Sequence, residues 1–183
     1  AYTAKADGFE IYAISFEYKQ RHSVELDFAK KIAANLQAKQ HLIISFDMSC
    51  IGGSALTTNI EVPKNRDINA EEIPITYVPA RNTIFLSFAL AWAEVLSVED
   101  IFIGVNAIDY SGYPDCRPAY LKAFESMSNL ATKVTLEGKL RFRINTPLLN
   151  MKKSEIIRKG LELGVDFGST WSCYSPSIKN GII

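Results

Sequence analysis

The feature that most restricts the fold is a strand, a helix and a second strand following one another between Phe9 and Phe46. "FEIYAISF" (9–16) is short, aromatic and β-branched, as suits a strand buried on both faces. In "SVELDFAKKIAANLQA", Val24, Phe28, Ile32 and Leu36 recur at intervals of four with lysines opposite, the pattern of an amphipathic helix. "HLIISF" (41–46) reads as a second buried strand. Such a unit implies a parallel sheet with right-handed crossovers.

The rest of the chain extends this pattern. "AYTAKADGF" reads as the last turns of a helix ended by Gly8 in the left-handed position, so the chain is expected to begin in mid-element. Residues 47–80 lack strong periodicity and contain Gly52, Gly53, Pro63, Pro74 and Pro79, which predicts an extended excursion of the kind that is usually functional or mobile. "RNTIFLSFALAWAEVL" (81–96) is apolar nearly all round, which predicts a central helix, and "IFIGV" (101–105) predicts a strand. "RPAYLKAFESMSNLATK" places Leu121, Phe124, Met127 and Leu130 on one helical stripe, with Pro118 in the first turn. "RFRIN" (141–145) predicts a strand, and "NMKKSEIIRKGLELG" a last helix with Asn150 as N-cap and Gly164 as stop. The expected fold is one doubly wound, mainly parallel α/β domain over residues 1–183, Rossmann-like, with ligands beyond the carboxyl ends of its strands.

A chain of 183 residues, 48% apolar, can bury one sizeable core. Its formal net charge of zero gives no bulk attraction to nucleic acid or an anionic membrane, and neither is expected as a partner. Cys50, Cys116 and Cys173 are widely spaced without a CxxC pair, so free thiols in a reducing cytoplasm are expected. "NTIFLSFALAWA" is shorter than the ~20 residues a membrane span needs. The first residues lack the marks of a signal peptide, so no secretion is expected.

Three loops would lie at the ligand end of the sheet. "EYKQRH" carries Lys19, Arg21 and His22; lysine and arginine suit phosphate, but by residue type alone a solvated charged loop is the first expectation, and His22 is the weakest of the three. The excursion carries "GGS" (52–54), which reads as a turn because the lysine and the strand-to-helix context of a Walker loop are missing. "NAIDYSGYPDCRP" (106–118) suits a planar heterocycle: Tyr110 and Tyr113 offer stacking faces, Asp109 and Asp115 can accept from an N–H edge, and Arg117 can meet a carboxylate. Its alternative role is a structured turn in which Asp115 is only a helix cap. Arg81 and the pair Lys152 and Lys153 stand at helix N-termini, where a cation opposes the macrodipole. Either a bound anion or, for Arg81, an acidic loop residue would explain them.

The segments "FEYKQRHSVEL", "IGGSALT", "VPARNTIFLSFALAWAE", "IFIGVNAIDYSGYPDCRP", "TPLLNMKKSEIIRKGLELG" and "TWSCY", in this order, closely resemble the 7-cyano-7-deazaguanine synthase family almost end to end. The resemblance implies an adenine-nucleotide α-hydrolase-like, ATP-pyrophosphatase fold and a ligase of the cytoplasm, commonly homodimeric. It implies the conversion of 7-carboxy-7-deazaguanine, ammonia and ATP to the nitrile 7-cyano-7-deazaguanine on the route to queuosine, with Mg2+ accompanying ATP and a structural Zn2+. On that basis Arg81 and Lys153 are the expected catalytic residues. Ser15, Phe16, Lys19, Arg21 and Asn106 are the expected nucleotide contacts; Asp109, Tyr110, Tyr113, Asp115 and Arg117 are expected to hold the deazaguanine. Cys173 is the expected zinc ligand. The family's pyrophosphate loop is expected upstream of Ala1 and its three other zinc cysteines downstream of Cys173. Lys19 stands where the family usually has glycine. Rival expectations are another ATP-pyrophosphatase, either a tRNA thiolase or an amidating synthetase, and a nucleotide-binding fragment without catalysis. Thiolases need redox-active cysteines and a basic surface, and an amidating synthetase usually needs a glutaminase domain; the sequence displays none of these.

Overall fold

The computed structural model describes residues 1–19, 24–54, 73–108 and 113–171. Two compact units emerge, one of residues 1–50 and 163–183 and the other of residues 51–162.

In the first unit, helix α1 (Tyr2–Ala6) ends as its sequence requires. Gly8 adopts φ +88°, and the Gly8 and Phe9 amides donate back to the carbonyls of Lys5 and Ala4 at 3.1 and 3.0 Å. Strand β1 (Tyr12–Glu17) then pairs in parallel with β2 (Gln40–Ser45), Tyr12 opposite Gln40 through Glu17 opposite Ser45. The intervening helix α2 (Val24–Asn35) buries Leu26 and Ala33 and packs along β1. The strand, helix and parallel strand are therefore present as expected. The strands are half-buried rather than buried on both faces. Trp171 closes the other side of α2, stacking on Phe28 with ring centroids 5.6 Å apart.

In the second unit, helix α3 (Arg81–Leu96) leads to strand β3 (Asp100–Phe102), helices α4 (Pro118–Ala131) and α5 (Lys133–Leu136), strand β4 (Arg143–Asn145) and helix α6 (Lys153–Glu162). Strands β3 and β4 run parallel, Asp100 opposite Arg143 and Phe102 opposite Asn145. The core is made of Leu86, Leu90 and Ala93 of α3, Ile101 and Val105, Leu121 and Phe124 of α4, Cys116 and the fully buried Phe142. Asn129 fixes Phe142 by its backbone, donating to its carbonyl and accepting from its amide, both at 2.9 Å.

Three expectations are corrected here. Helix α3 buries only the stripe Asn82, Leu86, Leu90 and Ala93, and leaves Phe88 and Val95 exposed, so it is not apolar-packed all round. The buried ridge of α4 runs Leu121, Phe124 and Ser128, while Met127 and Leu130 are exposed. A stripe spaced strictly by three drifts off the contact face of a helix with 3.6 residues per turn. The polar members of the true ridge are satisfied locally: Ser128 donates to the Phe124 carbonyl at 2.8 Å and Thr132 to that of Ser128 at 3.1 Å. Finally, α6 starts at Lys153, and Asn150 lies in the preceding turn rather than at the N-cap. Glu155 completes that N-terminus by accepting from the Lys152 amide at 2.6 Å, the carboxylate half of a capping box.

The β3–β4 pair is tied by charge as well as by its ladder. Arg143 donates Nε and Nη2 to the two oxygens of Asp100 at 2.9 and 2.7 Å, and Asn145 adds a bond to Oδ1 at 2.9 Å. The guanidinium holds the Asp100 carboxyl below its ordinary value. A carboxyl depressed in the folded state contributes stability above its unfolded pKa of about 4, lost as pH falls through the folded value. Asp100→Asn is expected to melt below the parent at pH 7, the difference shrinking steadily as the melts are repeated from pH 4 downward.

Candidate functional site

The N-terminus of α3 poses a capping problem that the chain solves from a distance. The N-cap residue is Ala80, which has no side-chain acceptor and sits in the left-handed region at φ +52°. The anion that answers the helix's free amides is Asp115, whose Oδ2 accepts from the Asn82 amide at 3.1 Å. Asp115 lies in a single 3₁₀ turn, Pro114–Cys116, immediately before α4. Asn82 returns the contact, donating its side-chain amide to the Asp115 carbonyl at 3.3 Å and to the Cys116 sulfur at 3.4 Å. The carboxylate, the buried asparagine and the thiol thus form one cluster. Burial and then the Asp115 charge push the Cys116 thiol up, so it stays protonated and unsuited to nucleophilic work at neutral pH.

Around this cluster a small crevice of about 10 Å³, room for roughly one water, is lined by Thr76, Tyr77, Val78, Arg81, Tyr113 and Asp115. The Tyr113 hydroxyl shares a hydrogen bond with Thr76 Oγ1 at 2.8 Å, and its ring lies 6.1 Å from that of Tyr77. The Tyr77 hydroxyl accepts from the Ala80 amide at 3.0 Å, so the left-handed turn is held from the same side. Gly53 packs beneath the preceding proline: at φ +78°, a Cβ there would stand 3.3 Å from Pro79 Cγ. The Arg81 guanidinium lies 5.8 Å from the Phe85 ring centroid, over its face. Arg81, Tyr113 and Asp115, predicted separately from the sequence, are therefore brought together. Arg117 is exposed at the N-cap position of α4.

Lys153 is the first residue of α6, exposed, and its side chain makes no hydrogen bond or ion pair among the described residues. The turn before it is joined to the start of the loop at 106–118. Asn106 is buried and donates its side-chain amide to the carbonyls of Leu148, at 3.3 Å, and Met151. Its Oδ1 accepts from the Ile108 amide at 2.9 Å, and the Ala107 amide donates to the Leu149 carbonyl at 2.9 Å.

In the first unit, β1 carries the remaining described candidates. The Ser15 hydroxyl is paired with His41 Nε2 at 2.9 Å, and burial, then the charge of Lys30, lower the His41 pKa. Phe16 meets Phe46 edge-on at 6.4 Å. The sheet pairs β1 with β2 alone, so one backbone edge of β1 carries no strand among the described residues. Lys19 has φ +61°, a conformation in which a Cβ is disfavoured. Lys19→Gly is expected to raise unfolding free energy by about 0.5–1 kcal/mol in denaturant melts, strain relief outweighing the greater freedom of the unfolded glycine. A loss of stability would mean that the attraction of Lys19 for Asp47 matters more.

Arg21, Asp109, Tyr110 and Cys173, with His22, lie outside the described residues. Among the described residues no group of three or more His, Cys, Asp and Glu side chains could hold a metal ion. No helix among them is long and apolar enough to cross a membrane. The sequence reading missed Asn82, Thr76 and Tyr77 as parts of the site. A buried asparagine in an otherwise apolar helix needs partners, and an alanine before that helix needs an acceptor from elsewhere; these were the available signals.

Comparison with known proteins supplies the lineage. Residues 1–181 match the family model described as queuosine biosynthesis protein QueC. A 7-cyano-7-deazaguanine synthase of Syntrophus aciditrophicus (strain SB) is 62% identical over 175 residues, covering 94% of this chain and 76% of the relative. Proteins of the same name from Geobacter metallireducens (strain ATCC 53774 / DSM 7210 / GS-15) and Desulfatibacillum aliphaticivorans are 64% and 59% identical over 174 and 176 residues, each covering 95% of this chain and 73% and 76% of the relative. With this agreement running from end to end, the chain belongs to the queuosine biosynthesis protein QueC family.

Proposed function

We propose that this chain is an ATP-dependent ligase that converts 7-carboxy-7-deazaguanine and ammonia to 7-cyano-7-deazaguanine. Membership of a family whose relatives carry that name supports the reading most strongly. The cleft that gathers Arg81, Tyr113 and Asp115 beside a capped helix N-terminus gives it a physical setting.

A carboxylate is a poor acyl donor. Transfer of AMP from ATP to its oxygen releases pyrophosphate and creates an acyl-adenylate. Ammonia attacks that carbonyl, AMP leaves, and a proton is lost to give the amide. A second AMP transfer to the amide oxygen, again with release of pyrophosphate, lets AMP depart with that oxygen while both N–H protons are lost to solvent and the carbon–nitrogen triple bond forms. Each activation spreads negative charge over phosphate, so the chain's contribution is positioning and electrostatic stabilisation. Arg81 and Lys153 supply the cations. Ser15, Phe16, Lys19, Arg21 and Asn106 are the residues proposed to contact the nucleotide. Tyr113 offers a ring face held in place by Thr76. Asp115, with one oxygen on α3, presents the rest of its carboxylate to an N–H edge, with Asp109 and Tyr110 earlier in the same loop sequence. Arg117, exposed, meets the substrate carboxylate.

The doubly wound adenine-nucleotide α-hydrolase-like architecture as one domain over residues 1–183, the homodimer and the cytoplasmic setting belong to the same reading. The parallel pairing of both strand pairs and the helices between them support the first. Mg2+ would accompany the triphosphate as its counter-charge. Zinc would take Cys173, but one cysteine does not make a zinc site, and no step is assigned to it.

The test measures AMP and pyrophosphate release from ATP and Mg2+ with each substrate omitted in turn. AMP is expected only when 7-carboxy-7-deazaguanine is present, rising further with ammonium. Binding of ATP without AMP release under any combination would identify a nucleotide-binding protein instead.

A further inference from the structure

We propose that Asn106 is a positioning residue that sets Lys153 against the loop at 106–118, an inference that rests on the ligase reading. Within the second unit these two segments meet at one place. The turn of residues 146–151 folds on itself, with Leu149 donating to Thr146 and Met151 to Leu148, both at 3.1 Å, and then launches α6 at Lys153. A turn held only by such local bonds can rock. Asn106 prevents this, because both hydrogens of its side-chain amide are donated to that turn, to the Leu148 and Met151 carbonyls, the second only two residues before Lys153.

The same side chain fixes the start of its own loop, residues 106–108. Its oxygen accepts from Ile108 within the loop, and the neighbouring Ala107 amide reaches Leu149, so three hydrogen bonds join residues 106–107 to residues 148–151 and a fourth braces the loop's own start. Only a carboxamide fits all of them: the two carbonyls need donors and the Ile108 amide needs an acceptor. The site is buried, so water does not substitute freely. Because its amide hydrogens are already donated, the contribution of Asn106 to the nucleotide site is one of position. The loop carries the residues proposed to hold the deazaguanine and the turn carries the lysine proposed to meet phosphate. The clasp thus sets the distance between the carboxylate to be activated and the charge that stabilises its activation. A displacement of about 1 Å at such a point can cost on the order of a hundredfold in rate.

Asn106→Asp is the selective variant, since it keeps shape and the Ile108 acceptor but turns an oxygen toward two carbonyls. Its kcat is expected to fall about ten- to hundredfold with KM for 7-carboxy-7-deazaguanine changed less than about threefold. In a Lys153→Ala background the same substitution is expected to add less than about a twofold loss, because the group it positions is gone. Equal losses in both backgrounds, or an unchanged kcat, would overturn the proposal. Asn106→Ser, which retains one donor, takes its place in the same cycle if the aspartate variant does not fold. Hydrogen exchange gives a readout without activity: the amides of residues 149–156 are expected to exchange faster in the variant. Unchanged exchange would refute the clasp, whereas an inactive parent protein with faster exchange in the variant would sink the ligase reading and leave the clasp standing.

Discussion

Asp115→Ala is expected to lower unfolding free energy by about 2–3 kcal/mol and to weaken binding of 7-carboxy-7-deazaguanine at least tenfold. The stability term follows from geometry. The carboxylate is buried and accepts from the Asn82 amide at the start of α3. Its removal deletes a charge-assisted bond and leaves a buried donor without an acceptor, because Ala80 cannot replace it. The binding term follows from its place on the cleft wall beside Tyr113 and Arg81. A hydrogen bond to a charged group contributes about 1.5–3 kcal/mol, roughly ten- to a hundredfold in affinity. Asp115→Asn separates the two roles. Its carboxamide oxygen still caps α3, so denaturant melts should shift by less than about 1 kcal/mol, whereas substrate affinity should fall nearly as far as in the alanine variant. Equal stability of the parent and the alanine variant would remove the cap from the explanation.

Lys153→Ala is expected to reduce kcat by about two to three orders of magnitude, the loss typical of removing one preorganised charge from a transition state. Stability should hardly change, since the side chain is exposed and makes no hydrogen bond or ion pair among the described residues. Loss of a cation from the first turn even favours the helix slightly. Lys153→Arg should recover part of the rate by retaining charge with altered geometry. Lys152→Ala provides the contrast. Lys152 occupies the cap position, where its backbone amide rather than its ammonium is bonded, to Glu155. A rate loss at Lys152 as large as at Lys153 would show that the turn contributes bulk positive charge rather than one placed group.

What the sequence disclosed was local, and what it concealed was mostly distant. The strand, helix and strand of the first unit were legible because their apolar spacing is written into adjacent residues. The span of α3 was read correctly for the same reason. Its capping was not, because the acceptor for Asn82 lies 33 residues further on and alanine occupies the place where a capping residue would stand. The α4 ridge departs from the apolar spacing at Met127 and Leu130 because hydroxyl groups that bond back to their own helix can be buried as readily as apolar ones. Asn150 suits a cap by residue type, yet a side chain three residues into the helix supplies the acceptor instead. The site divides in the same way. Arg81, Tyr113 and Asp115 carried visible chemistry and converge in one cleft. Asn82 and the links made by Asn106 depend on contacts that no local pattern displays. The family was nevertheless legible, since six ordered segments carried it and the comparison over residues 1–181 agrees.

The most direct measurement supplies the protein with 7-carboxy-7-deazaguanine, ATP, Mg2+ and ammonium enriched in nitrogen-15, and follows products by mass spectrometry. The nitrile should appear carrying one heavy nitrogen, with two AMP released for each nitrile and the amide preceding it in time. Unlabelled product, or turnover of ATP with no amide and no nitrile, would contradict the assignment.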